Sequence, residues 1–529
     1  MFEVIPRSSN IESTPPPVLG LNTTDPATML DPQYARKMLN FFPGEYSIKV
    51  REGYSQWVTG LPSAIETLIP YVKLDGTQHL FAATSDGLFN VTTTGTLVSL
   101  SLVALIPITE GRCSYTQFTN LAGNYLVICN DSTDVLYIYN GTTWTTSSYH
   151  ATPTVLGQFS VNPALLSAVA VHMRRLWFIE KNSLTAHYLP VDAITGTLAP
   201  FYLGSIFKKG GKLKSIFTWS TDSGEGMDDL IIFQSSEGEL AAYRGTDPSS
   251  AETWTLDTAI YVAPPRTDRS PVSVGGDVWL LTAFGVMPVS TIAGSGGKAL
   301  SQDLSKSRKI AKSIASELTA RGQNANWEAH VHPDRQALFV LFPEATRPAI
   351  QFVMNLQTGA WTQYDMPMHT AVMLGDTLYF GDNAGNVYKW GGIYRDNIAL
   401  DASSWDQIEA HFEAAYTDLG NRGQNKHYNL VRLLWVSHQH PTYVVSLSTD
   451  YYQNSAFYTW AYPPLQEEGD LWDDGLWDDA IWTAAPSARY RWDGVEGLGY
   501  TASLMLRIKT KRYVELAGID WAYAIGASL

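Results

Sequence analysis

Two pairs of histidines stand two residues apart, His330 with His332 and His438 with His440, a spacing that on a strand turns both rings to the same side and suggests a metal pair. Zinc and iron sites need a third protein ligand held by its own hydrogen bonds, and no His, Cys or carboxylate supplies it at a diagnostic spacing. Surface or core histidines are the favoured reading. The run Gly294-Ser-Gly-Gly-Lys-Ala299 invites a phosphate-loop reading, because successive glycines let backbone amides approach an anion. A Walker loop would need Gly at 292, which is Ile292, and a hydroxyl at 299, which is Ala299; no βαβ pattern surrounds the run, so a loop is expected.

The segment Leu471 to Trp482 carries Trp472, Trp477 and Trp482 with Asp473, Asp474, Asp478 and Asp479 between them. Hard carboxylate oxygens could hold calcium, but the spacing is not that of an EF-hand loop. A compact turn anchored by its tryptophans is favoured. Ser220 to Met227 partly resembles the Asp-box turn of sialidases, yet it occurs once and lacks the aromatic end. Neither a serine nucleophile elbow nor a zinc-protease helix motif is present. The lysines 208, 209, 212 and 214 and the stretch Lys306 to Lys312 could touch phosphate, although solvated loop and helix faces are the commoner role of such clusters. No catalytic, cofactor-binding or metal-binding residue is therefore assigned, and no cofactor is expected.

Any such groups would be positioned by strands. From about Thr67 to Trp390 a run of β-branched and aromatic residues, a polar turn and a second such run recur, as hairpins do. The turns fall near Gly87, Thr133, Ser183, Gly238, Gly285, Asp334 and Gly385, at intervals of 46 to 55 residues. That period built from strands is the signature of propeller blades, each too thin to bury its own faces. The expected fold is all-β: a propeller of six or seven blades, seven favoured, over residues 61–397, with an additional antiparallel β platform domain over 398–529. Residues 1–60 form an N-terminal arm that joins the platform. A pair of β-sandwiches with coincidental spacing is the blander alternative.

Within the arm, Asp31 can cap and Pro32 can open a short helix ending before Pro43. Ile408, Ala410, Phe412, Ala414 and Tyr416 alternate with smaller or polar residues, as do Tyr500, Ala502, Leu504, Leu506 and Ile508, which predicts half-buried strands. Ile310, Ile314 and Leu318 recur every fourth residue and predict one helix between Ser305 and Ala320.

Composition narrows the function classes. The 529 residues carry a net charge of −15, so the whole molecule repels nucleic acid and sequence-specific DNA reading is disfavoured. Charged residues are only 16% while hydrophobic ones are 45%, which points either to surface covered by partners or to the Thr, Ser, Asn and Tyr surface of a large all-β chain. Cys113 and Cys129 are the only cysteines, expected as free buried thiols in a chain folded in a reducing cytoplasm. No signal peptide is read at the N-terminus, and no run approaches the ~18 apolar residues of a bilayer span.

Several segments resemble the tail-nozzle, or packaged-DNA-stabilisation, proteins of podophages, also called tail tubular proteins. They are LNFFPGEYSIKVREGYSQWVTGL (39–61), RRLWFIEKNSLTAHYLPV (174–191), GGDVWLLTAFGVMPVS (275–290), VMNLQTGAWTQYD (353–365), LYFGDNAGNVYKW (378–390) and LWDDGLWDDAIW (471–482), in that order. The resemblance implies a non-enzymatic structural virion protein, synthesised in the host cytoplasm and placed at the distal end of a short phage tail. It implies a homo-hexameric ring below the head-tail adaptor protein, with tail fibre proteins as further neighbours. Such a ring retains packaged double-stranded DNA and then passes it without sequence-specific binding; an acidic chain suits a channel in which DNA must slide. The alternative is a propeller glycosidase or a glycan-binding protein.

Overall fold

The computed structural model describes residues 10–98, 105–132, 134–220, 229–294, 302–322, 327–344, 347–452, 457, 461–463 and 485–526. The predicted hairpins form the seven antiparallel blades of a propeller, six of them in separate sheets and the sixth blade as one end of a ten-stranded sheet. Each blade begins with its innermost strand. These strands are Thr67–Val72, Cys113–Asn120, Leu166–His172, Leu213–Trp219, Pro271–Val274, Glu328–His332 and Thr370–Leu374. Of the turn positions read from sequence, Ser183, Gly238, Asp334 and Gly385 fall between paired strands, Gly87 and Gly285 open the second strand of their hairpins, and Thr133 lies outside the described residues.

A blade's two faces are apolar because its strands are sandwiched between neighbours, so burial runs through consecutive residues instead of alternating. Leu230–Ser235 and Ala337–Phe342 are buried at every position. Apolar clusters fill the gaps between blades: Phe81 and Tyr139 between the first and second, Trp177 and Phe233 between the third and fourth, Phe339 and Trp390 between the sixth and seventh. The ring closes where Val372 and Tyr379 of the seventh blade meet Leu68 and Leu80 of the first.

Closure also uses the arm. Tyr54–Thr59 pairs antiparallel with Val387–Trp390 as the outer strand of the seventh blade, so the propeller begins before residue 61 and the expected 1–60 arm is shared between two bodies. A strand supplied from the N-terminal side latches the two ends of the ring together.

The rest of the arm enters the platform, a sandwich of two sheets. In one, Ser487–Gly499, Lys426–Ser437, Val514–Ile525, Ile48–Val50 and Phe41–Pro43 lie side by side, and Asn10–Thr14 also pairs with Val514–Ile525. In the other, Tyr34–Leu39, Asp406–Ala414, Ala502–Thr510 and Thr442–Thr449 follow one another. This second sheet is continuous with the sixth blade, because Trp361–Tyr364, Gly20–Leu21 and Tyr34–Leu39 pair in parallel. Gly20 sits at φ +75°, and a Cβ there would strike the Trp361 carbonyl; only glycine brings the two backbones this close.

Two expectations are corrected. The helix expected after Pro32 is the strand Tyr34–Leu39: Ala35 and Met38 are buried in the sandwich, and pairing with Asp406–Ala414 outweighs the helical preference of Ala, Arg, Lys and Met. Ala502–Thr510 is not half-buried but covered on both faces. Leu504, Leu506 and Ile508 face the sandwich core, while Ser503 donates to the Ala414 carbonyl at 2.7 Å and Arg507 to the Phe457 carbonyl at 3.0 Å. Asp406–Ala414 alternates as expected as far as Phe412, with Ile408, Ala410 and Phe412 buried, after which Glu413 and Ala414 are both buried.

The expected helix is Ala311–Arg321, preceded by a 3-10 turn at Arg308–Ile310. Ile310 and Ile314 are buried and Leu318 packs beside them, plugging the joint between the fifth blade, the sixth and the platform. No helix among the described residues is long and apolar enough to cross a membrane.

Candidate functional site: the axial cavity of the propeller

In a propeller the innermost strands all run in the same sense around the axis, so the residues that begin them gather at one mouth. Five of the seven blades contribute such residues to a cavity of about 300 Å³, lined among others by Arg112, Val169, Lys214, Arg269, Glu328 and His330.

Glu328 begins the sixth blade and is buried. Its Oε2 accepts a hydrogen bond from Arg269 Nη1 at 2.5 Å, and its Oε1 accepts one from the Ala371 amide at 3.1 Å. His330 Nε2 lies 3.2 Å from the same Oε1. The other arm of Arg269 donates to the Cys113 carbonyl at 3.0 Å and to Thr67 Oγ1, while Nη1 also reaches the Glu66 carbonyl at 3.3 Å. One ion pair thereby ties together the first, second, fifth, sixth and seventh blades. Although burial alone would raise the Glu328 carboxyl, the Arg269 guanidinium and His330 beside it hold it well below the usual carboxylate range.

That pairing commits the groups that might otherwise do chemistry. A buried carboxylate engaged by a guanidinium and an amide is a poor general base. Burial pushes the Cys113 thiol up to about 12 and raises Cys129 as well, so neither presents a thiolate near neutrality; both are free and buried, as expected. Burial also pushes the Tyr115 phenol up to about 12.

The residues singled out in the sequence are placed as follows. His330 faces the cavity, whereas His332 is buried against the Trp390 ring at 5.4 Å. His438 gives its carbonyl to Arg489 at 2.8 Å, and His440 lines a small cleft beside Lys509 and Arg512. Among the described residues no group of three or more His, Cys, Asp or Glu side chains could hold a metal ion. Residues 471–482, 221–227 and 295–299 lie outside the described residues, which removes the Trp-Asp segment and nearly all of the Asp-box-like and glycine runs from view.

The basic clusters are engaged internally. Lys309 is 2.8 Å from Asp25, Lys312 donates to the Thr24 carbonyl at 2.7 Å, and the Thr23 and Thr24 amides bond the Lys309 carbonyl at 2.9 and 3.2 Å. These contacts fasten the arm to the helix. Lys214 pairs with Asp268, Lys212 lies 3.8 Å from Asp131, and Lys209 sits over the Tyr261 ring.

Arg112, Arg269 and Glu328 were not singled out from the sequence. Their signal was positional: each charge stands at or just before the first residue of an innermost strand, a place that repeats with the blade period.

No family model matches the chain, and no curated protein matches it. Solved structures do resemble it. BBS1N, in a complex with ARL6DN, aligns at 14% identity and a TM-score of 0.40, covering 64% of this chain and 97% of that one. Sqt1 of Saccharomyces cerevisiae aligns at 10% identity and 0.35, covering 64% and 98%. BamB of Moraxella catarrhalis aligns at 12% and 0.33, covering 66% and 93%. No function transfers across likenesses of this size, and the all-β propeller stands on the seven blades described above.

Proposed function

We propose that this chain is a structural virion protein that forms the distal nozzle ring of a short-tailed phage tail, retaining packaged DNA and then conducting it to the host. The observation that carries the reading is the outer face of the platform. Along Lys426–Ser437, Val431, Leu433 and Trp435 point into the sandwich, which leaves Leu430, Arg432 and Leu434 on the outside. Leu434 stands opposite Tyr490, Arg432 opposite Trp492, and Leu430 in one row with Ala522 and Ile11. The solvent face of an antiparallel sheet in a lone subunit is ordinarily polar; here Ile11, Tyr490 and Leu498 are each more than 60% exposed.

The same sheet ends on Ser487–Gly499, a 13-residue strand whose other edge has no partner strand among the described residues. Long open edges and apolar outer faces are the surfaces by which subunits add to one another. A second copy of this chain is the occupant that makes a closed ring, and the net charge of −15 suits a lumen that must not grip DNA. Five of the six nozzle-like segments fall on the platform junction and on the third, fifth, sixth and seventh blades, the sixth segment, 471–482, lying outside the described residues, and their order supports the same reading.

A glycosidase of sialidase type would need an arginine cluster free to take the substrate carboxylate. Arg269 is instead spent on Glu328, Thr67 and Cys113, which leaves Arg112 as a single guanidinium and not a cluster, and this speaks for the structural reading.

Two measurements test the proposal. Light scattering with negative-stain images of the same sample, in the presence of the adaptor, is expected to give a six-fold ring with a central hole. Removing the gene from the phage is expected to give filled heads that leak DNA; stable, infectious particles without the protein would overturn the reading.

A further inference from the structure

We propose that the axial cavity of each propeller is a carboxylate-binding site whose receiving group is the guanidinium of Arg112. The inference is independent of the nozzle reading and concerns one subunit alone.

Four cations and four carboxylates line the cavity, and three pairs account for six of them: Arg269 with Glu328, Lys214 with Asp268, and Lys212 with Asp131 at 3.8 Å. Arg112 and Glu110 remain. Arg112 Nη2 donates to Thr267 Oγ1 at 2.8 Å, and among the described residues no carboxylate lies within ion-pair distance of it. A guanidinium carries five N–H donors in a planar fork, and one neutral hydroxyl satisfies a single donor. Burial and the like charge of Arg269 push Arg112 down to about 10, against the opposing pull of Glu328, Asp268 and Glu66, none of which is in ion-pair contact with it.

The walls choose the ligand. Four lining carboxylates, Glu110, Asp131, Asp268 and Glu328, repel a dianion such as phosphate more strongly than a monoanion, and a single planar carboxylate head matches the fork of Arg112. Val169, Ile179 and Ile216 provide apolar wall for a short chain behind that head. Two sources offer the same chemistry: a small free monocarboxylic acid, or the acidic side chain of a peptide docking at this mouth of the propeller.

Titration calorimetry on the full chain tests the site with butyrate, its neutral isostere butyramide, and an acetylated, amidated tripeptide containing one glutamate. Saturable binding of butyrate or of the peptide, with no binding of butyramide, is the expected result, and which of the two binds names the source. Arg112→Gln should weaken that binding about tenfold or more, and Arg112→Lys, which keeps the charge but not the fork, should weaken it by less. The exposed-lysine control Lys208→Gln should bind as wild type does. If Arg112→Gln fails to fold, the butyrate–butyramide comparison on wild type and the Arg112→Lys variant still decide. Equal binding of butyramide, unchanged affinity in a folded Arg112 variant, displacement by chloride at matched ionic strength, or no saturable binding of either acid would each overturn the proposal.

Discussion

Arg51 and Asp396 meet through a two-pronged hydrogen bond: Arg51 Nη1 donates to Oδ1 and Nη2 to Oδ2, both at 2.7 Å. The two residues are 345 positions apart, one leaving the platform and the other leaving the seventh blade. Asn40 adds its Oδ1 to Arg51 Nε at 2.8 Å and donates to Asp365 Oδ1 and to the Glu409 carbonyl, each at 2.7 Å. The pair is a buried bolt between propeller and platform.

Removing one partner of that bolt should be costly, since a buried charge would be left without compensation. Arg51→Met is expected to destabilise the protein by about 3–5 kcal/mol, read as a lowered midpoint in urea. Replacing Arg51 and Asp396 together with apolar residues should recover much of the loss. An Arg51→Met protein as stable as wild type would show that the joint does not depend on the pair.

Glu328 predicts an acid dependence. Its folded pKa is depressed, so its contribution is fully present above the ordinary glutamate range and fades as pH falls toward the folded value. Glu328→Gln should therefore cost about 3–5 kcal/mol at neutral pH, and the gap to wild type should narrow as the solution is acidified below about pH 4. Thermal melts of both proteins between pH 7 and pH 3 check the sign; a constant gap would contradict it.

His172 predicts a second window. Burial pushes it down to about 4, against a weak opposing pull from Asp229, and its Nδ1 lies 3.0 Å from Thr218 Oγ1 between the third and fourth blades. Between the ordinary histidine value of about 6.5 and that folded value, the unfolded chain binds the proton and the folded chain does not, so stability falls as pH falls. His172→Gln should remove up to about 3 kcal/mol of that slope in the same window, measured by denaturant midpoints at pH 7 and pH 4.5.

The platform face predicts an assembly defect without a folding defect. Leu434→Asp combined with Tyr490→Asp places two charges on the outer sheet face while leaving Val431, Leu433 and Trp435 in the core. Light scattering should then report monomer under conditions in which the parent forms its ring, with an unchanged far-ultraviolet spectrum. A ring that persists would move the subunit contact elsewhere.

Local chemistry alone determined a good part of this molecule. Runs such as Leu230 to Ser235 and Ala337 to Phe342, set between polar turns, declare strands because β-branched and aromatic side chains suit a buried pleated surface, and their even spacing declares blades. The four-residue recurrence of Ile310, Ile314 and Leu318 declares a helix for the same local reason. Tyr34–Leu39 departs from expectation because its own residues prefer a helix, and only the strand edge offered by Asp406–Ala414, far away in the chain, reverses that preference. Arg51 finding Asp396, Arg269 finding Glu328, and the cavity that leaves Arg112 facing open space were decided by tertiary structure alone. Each is a contact between residues that ring closure brings together, and the interaction of two distant charges depends on their final separation and burial, neither of which is written in the spacing of either residue from its neighbours.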